Sequence, residues 1–304
     1  MGILTNLADA LFPRQHSIPE LSGLTLREET DVRGWSTGFI LDAHRHQGTI
    51  NLALENPGHV SEQTWRTFEN AVSQLDRMVV TCTIDEAGAG AQPARTATTF
   101  RATSKEQKKN LNELVTDISL RQKELYEDAD EQALPLRPLD ATDLMTSVLG
   151  SVGIDGSRWE DLLEMDLETS NSNVIVSPGQ DSERQMACFT ANISIPRVAD
   201  FVDGLMADWD GDEVLRRTRM FRPFVLPEGT GEDLATGFGR RWAIITTSGS
   251  DAADWAFTQM LNEDPVVALR IRRLRGRQRT AMLAGLGIGA LGWQHVGAAD
   301  REVA

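Results

Sequence analysis

Residues 35–54 read WSTGFILDAHRHQGTINLAL. Trp35–Leu41 and Thr49–Leu54 are runs rich in β-branched, aromatic and aliphatic residues, and the polar stretch from Asp42 to Gly48 between them is turn chemistry. The segment is therefore predicted to be a β-hairpin with a long loop. A helix follows, with Ser61 as N-cap and Trp65, Phe68, Val72 and Leu75 on one face. It leads into a strand over Met78–Ile84. Asp85–Ala97, rich in Gly, Ala and Pro, reads as a flexible loop, and Thr98–Ala102 as a further strand. Ser104 then caps a long helix bearing Leu111, Leu114, Val115, Ile118 and Leu125. The first half thus reads ββαββα.

The acidic stretch Glu127–Glu131 and the Pro-interrupted Ala133–Leu139 mark the expected boundary between halves. Beyond it, Asp140 caps a helix carrying Leu144, Met145, Val148 and Leu149. Strands are predicted at Asn173–Val176 and Met186–Ile195, with the turn residues Ser177–Asp181 between them. Val198, Phe201, Val202, Leu205 and Met206 fall on one helical stripe after Pro196. A strand over Val214–Leu226 is expected to lead into two or three helices. The fold class is α+β: two consecutive small α/β sandwich units followed by C-terminal helices. The divisions are an amphipathic N-terminal helix within residues 1–22 (Ile3, Leu4, Leu7, Ala8, Leu11 and Phe12, stopped by Pro13), units at 23–132 and 133–268, and a tail at 269–304. Both cores read as complete before Pro265.

The chain has 304 residues, 40% of them apolar and 25% charged, which is ordinary globular usage. A net charge of -15 argues against general nucleic-acid binding, because neutralising phosphates needs a basic surface. The charge is uneven, since the tail from Leu269 onward holds seven arginines against Asp300 and Glu302. Lys105, Lys108, Lys109 and Lys123 are confined to one predicted helix. Arg14 is the first basic residue and no apolar run reaches about 20 residues, so a cytoplasmic chain is expected.

The motifs that name chemistry are absent: no Walker A, HExxH or GxSxG sequence occurs. Gly287–Gly292 matches GxGxxG but has no room for the βαβ unit that gives the pattern meaning. His44 and His46, with Asp42 or His59, have the spacing of metal ligands on a strand, but nothing fixes their meeting and a solvated turn is the simpler reading. Asp208–Glu213 looks calcium-like, yet Arg219 stands where an EF-hand needs its bidentate Glu. Cys82 and Cys188 read as buried, reduced thiols. No catalytic residue, metal or cofactor is expected, and no enzymatic activity.

The segment from Asp264 to Arg279 carries the candidate site. Asp264 caps, Pro265 takes the first helical position, and Val267, Ile271 and Leu274 form a narrow stripe flanked by Arg270, Arg273 and Arg277 on one side and Arg272, Arg275 and Arg279 on the other. Such a helix suits an anionic surface. The uncharged, Gly-rich run Ala281–Trp293 behind it suits an interfacial or subunit-buried role, with Trp293 at its end. The competing reading is that the arginines pair with the acidic body and the tail packs as a final core element.

Gly38-Phe39-Ile40-Leu41-Asp42 before the second strand, Pro138-Leu139-Asp140 before the helix at Leu144, Ile195-Pro196-Arg197 before Phe201, and Thr218–Pro227 before the Arg-rich segment resemble one family in order. They look like the region preceding the motor in actinobacterial conjugation and type IV-like secretion proteins, and more distantly like the soluble part of the E component of type VII secretion. The resemblance implies an assembly subunit without ATPase activity. Its expected partners are other subunits of the machine, or the anionic inner membrane surface, met through the Arg-rich helix. The alternative is a plasmid- or phage-borne virion or tail protein that forms a homo-oligomer through its C-terminal tail. No specific nucleic acid is expected as a partner.

Overall fold

The computed structural model describes residues 18–30, 34–55, 60, 62–170, 172–177, 184–209, 213–223, 239–249 and 251–289. Every residue named for the expected N-terminal helix, Ile3 to Pro13, lies outside the described residues, as do Ser61, His59 and Trp293. The first half builds β1 (Leu24–Thr30), β2 (Ser36–Asp42), β3 (Gln47–Leu54), α1 (Glu62–Val72), β4 (Met78–Ala87), β5 (Arg95–Arg101), α2 (Lys105–Lys109), α3 (Leu111–Glu131), β6 (Leu136–Pro138) and α4 (Ala141–Gly150). The second builds α5 (Trp159–Leu163), β7 (Asp166–Thr169), β8 (Val174–Ser177), β9 (Arg184–Ala191), α6 (Pro196–Asp208), β10 (Val214–Pro223), β11 (Gly239–Gly249), α7 (Asp251–Glu263), α8 (Pro265–Ala268), β12 (Ile271–Arg273) and α9 (Gln278–Ala284). The chain is α+β, as the alternation of apolar runs and helical stripes demanded.

All the described strands form one antiparallel sheet in the order β1-β2-β3-β5-β4-β10-β11-β9-β8-β7, with β6 paired to β3 and β12 to β9. Read inward from its own edge, the second half runs β7-β8-β9-β11-β10, the same order as β1-β2-β3-β5-β4. The connecting helices match as well: α1 with α6, α3 with α7, α4 with α9. The chain is an internal repeat whose halves meet antiparallel at β4 and β10, from Ala87 against Leu215 to Thr81 against Phe221. Equivalent helices lie on the same face, so the relating pseudo-two-fold axis runs perpendicular to the sheet through this central pair. The two repeats are thus joined edge to edge. The stretch expected to divide them holds β6, which adds to the sheet beside β3.

Each face has its own cover because strand residues alternate sides. On one face, Phe39, Leu41, Ile50 and Leu52 pack with Trp65 and Phe68 of α1 and Leu114 and Ile118 of α3, while Phe189, Leu215 and Ile245 pack separately with Val202 of α6 and Phe257 of α7. The opposite face carries one continuous core, in which Leu144 and Val148 of α4 and Met282 and Leu283 of α9 cover Cys82, Ile84, Met220 and Ile244.

Three expectations are corrected here. The loop expected over Asp85–Ala97 is shorter, because β4 runs to Ala87 and β5 starts at Arg95. Helices were expected directly after β10, yet β11 comes first and pairs with both β10 and β9. The Arg-rich helix does not form. Helix α8 stops at Ala268, Ile271–Arg273 is a strand, and a new helix begins at Gln278. Ile271 and Leu274 are buried, and the backbone satisfies its hydrogen bonds by adding to the free length of β9 instead of continuing the helix.

The chain from Ala281 to Ile288 is then buried along its length and crosses the central strands. Its carbonyls accept from the sheet beneath: Thr218 Oγ1 donates to Gly285 O at 2.7 Å, Arg95 Nη2 to Leu286 O at 2.7 Å, and Asn51 Nδ2 to Gly287 O at 3.3 Å. Gly287 has φ +67, and a Cβ there would lie 2.5 Å from Ile84 Cδ1 and 2.9 Å from Ala97 Cβ. That close approach accounts for the first glycine of the GxGxxG match without a nucleotide. Gly287→Ala is expected to cost about 1–3 kcal/mol through strain and overpacking, read as a lower midpoint in urea with an unchanged slope.

Candidate functional site

Two groups of polar side chains stand out, one buried and one open. The buried one lies on the axis, between the two separate cores. Arg217, on β10, sends Nη2 to Asp85 Oδ2 at 2.5 Å and Nε to Asp85 Oδ1 at 3.0 Å, and also pairs with Asp203 of α6. Two residues on, Arg219 Nη2 donates to Glu69 Oε1 of α1 at 3.0 Å, and both side chains are 1% exposed. Arg241 of β11 reaches Glu69 Oε2 at 3.3 Å, bonds Asn70, and lies over the Phe221 ring at 4.3 Å. Burial alone would lower the Arg217 pKa, but Asp85 and Asp203 outweigh it and hold the guanidinium charged, above its ordinary range. These two ion clusters, Arg217 with Asp85 and Asp203 and Glu69 with Arg219 and Arg241, tie α6 and α1 to the joint.

On the opposite face, Arg95 and Arg216 are also fully buried. Burial lowers both, Arg95 to about 10, with the nearby Glu86 opposing that fall. Arg216 donates to Ser151 O at the C-terminal end of α4 at 2.8 Å, where the helix dipole favours a cation. Cys82 and Cys188 are free and buried, and desolvation raises their thiols to about 12 and about 11, the wrong direction for a nucleophile.

The open group is a surface recess of about 370 Å³ lined by Gly34, Trp35, Ser36, Glu55, Arg137, Pro138, Asp140 and Asp143. Strands β2, β3 and β6 and the start of α4 build it. Asp140 Oδ1 caps the helix by accepting from Asp143 N at 2.7 Å, and Arg137 pairs with Asp143 at 3.0 Å. Trp35 is 41% exposed and stands edge-on to Tyr126. Three carboxylates and one guanidinium beside an indole face suit a cationic side chain.

The residues expected to meet a partner or membrane are split by the structure. Arg273 is drawn into the body, pairing with Asp254, donating to Asn173 Oδ1 at 2.8 Å and lying 4.7 Å over the Phe189 ring. Arg279 pairs with Glu20 at 3.1 Å. Arg270 before β12, Arg272 on it, and Arg275 and Arg277 in the turn between β12 and α9 remain on the surface. Ile271 and Leu274 are core residues, and 281–289, the described part of the apolar tail, are buried or half-buried in their own chain. No helix among the described residues is long and apolar enough to cross a membrane. At the candidate metal position, Asp42 accepts from Arg45 instead, at 2.8 Å from N and 2.6 Å from Nη1. The calcium-like run is described only at its ends. The sequence reading missed the recess, although Asp140 was visible as a helix cap; Trp35, Glu55 and Asp143 come together only through β6.

No family model matches this chain, and no curated protein does. Among solved structures, 6-hydroxy-D-nicotine oxidase from Arthrobacter nicotinovorans matches at 13% identity and a TM-score of 0.29, over 79% of this chain and 42% of that one. This chain therefore spans less than half of the length of that protein. The expectation that the chain has no enzymatic activity is corrected on this finding, because a matching solved structure is an oxidase. At that level of likeness neither its reaction nor any cofactor carries over.

Proposed function

We propose that the chain is an assembly subunit that docks on an acidic protein partner through the basic turn after β12, within a machine of the conjugation and secretion class that its sequence resembles. The observation behind this reading is the turn itself. Ile271 and Leu274 are buried at its base; Arg275 and Arg277 are exposed on either side of Gly276, which adopts φ +71, and Arg272 on β12 and Arg270 just before it are exposed on the same short segment. Guanidiniums held on a fixed backbone lose less freedom on binding than those of a mobile tail, and they favour carboxylate partners. Val266 and Leu269, exposed by 54% and 74% just before the turn, add apolar area beside the charge. An amphipathic helix lying in a lipid surface is not the geometry of this segment, which favours a protein partner over a membrane.

The test is affinity capture from native cells with the parent and with Arg270→Glu/Arg275→Glu. The parent is expected to retain conjugation or secretion subunits in a salt-sensitive manner. The variant is expected to retain at least tenfold less, with an unchanged melting temperature. Capture that ignores the charge reversal, or retains no such subunit, would overturn the reading.

A further inference from the structure

We infer that the acidic recess receives the basic turn of a second copy of this chain, so that the protein associates head to tail. The inference rests on the docking reading above and names the partner of that same turn. Its basis is the internal repeat. Leu139 N donates to Asn51 O at 3.2 Å and Leu274 N donates to Cys188 O at 3.0 Å, each directly after the short strand that flanks β3 or β9. The two leucines are thus equivalent, Arg137 and Pro138 correspond to Arg272 and Arg273, and Asp140 corresponds to Arg275. The same place in the two repeats has become an acidic recess in one and a basic projection in the other.

The axis decides how these can meet. A two-fold rotation perpendicular to the sheet reverses every direction within its plane, so equivalent features at the two ends face opposite ways. A second copy displaced along the sheet, with no rotation, brings the turn of one chain to the recess of the next. Such a contact is heterologous and leaves one recess and one turn free at the ends of the assembly. Inside the recess an incoming guanidinium meets Glu55, Asp140 and Asp143, competing with Arg137 for Asp143, with the Trp35 ring beside them for stacking. Opposite charge on two faces of one molecule steers copies together and disfavours turn-to-turn or recess-to-recess pairing.

Sedimentation velocity on the purified full chain over a range of concentrations and salt tests this, with Arg275→Glu blocking the turn and Asp143→Arg blocking the recess. Glu55→Arg serves as a second recess variant in case Asp143→Arg weakens the start of α4. The parent is expected to form concentration-dependent oligomers that dissociate as salt rises. Each variant alone should be monomeric, with self-affinity reduced at least tenfold. An equimolar mixture of a turn variant and a recess variant should stop at dimers, since each retains one competent end. A monomeric parent, oligomers indifferent to these charges, or a mixture that forms no dimer would overturn self-association. If the parent is monomeric while capture of secretion subunits still depends on Arg270 and Arg275, head-to-tail assembly fails and the docking reading stands. Loss of both removes the docking reading as well.

Discussion

Truncation after Asn262 is expected to abolish cooperative unfolding altogether. The deletion removes Ile271, Leu274, Met282, Leu283, Leu286 and Ile288, each no more than 6% exposed, and uncovers Cys82, Ile84 and Met220 beneath them. Burial of such side chains contributes about 1.5–3 kcal/mol apiece, so together they are of the same size as the ~5–15 kcal/mol by which a whole domain is stable. The deletion also strips Arg95 and Thr218 of the carbonyls they donate to, leaving a buried guanidinium and hydroxyl to be solvated. This reverses the expectation that residues before the tail fold alone. A truncated protein that melts in one sharp transition near the temperature of the full chain would show that the central crossing is dispensable.

Glu69→Ala is expected to be the most damaging single substitution, at about 3–5 kcal/mol. The carboxylate serves Arg219 and Arg241 together, from a position 1% exposed, and its removal takes from Arg219 the carboxylate that its buried guanidinium faces. Glu69→Gln keeps hydrogen-bonding capacity without the charge, so it should lie between the parent and the alanine variant. Arg219→Met in the Glu69→Ala background should recover part of the loss, because the buried charge that needed a counterion is then gone. Equilibrium denaturation of the four proteins measures this. A Glu69→Ala midpoint equal to that of the parent would contradict the pairing described at the joint.

The hairpin at 35–54 and the stripes of α1, α3 and α6 were legible because each spans enough residues for its period to show. The three-residue strands β6 and β12 were not, since three residues display no period and their pairing is settled by a distant edge. Val267, Ile271 and Leu274 misled for a definite reason. Their spacing matches a helical stripe, yet the structure meets it with a one-turn helix, a strand and a turn, each burying one of the three. Strand β11, whose Trp242–Ile245 is apolar without alternation, is covered on both faces and so lacks the signature of a half-exposed strand. The likeness of the two halves was legible as a succession of elements but not as a repeat of residues, because equivalent sites hold unlike chemistry, Asp140 against Arg275 and Asn51 against Cys188. The recess was invisible for the same reason its residues are effective: Trp35, Glu55 and Asp143 come from separate elements and become neighbours only when the sheet closes.

The crossing of the central strands by residues 281–288 also sets an order of events during synthesis. Strand β4 must wait for β10, about 130 residues later, and the face they share stays open until the crossing segment has itself been made. Closure of long sequence separations is slow, and an uncovered sheet face invites association with other chains in the interval. The first repeat is therefore expected to leave the ribosome with an unpaired edge at β4 and one face only partly covered, by α4, until the last core element arrives. Chaperone dependence during translation, rather than low stability of the finished protein, is the vulnerability this architecture builds in.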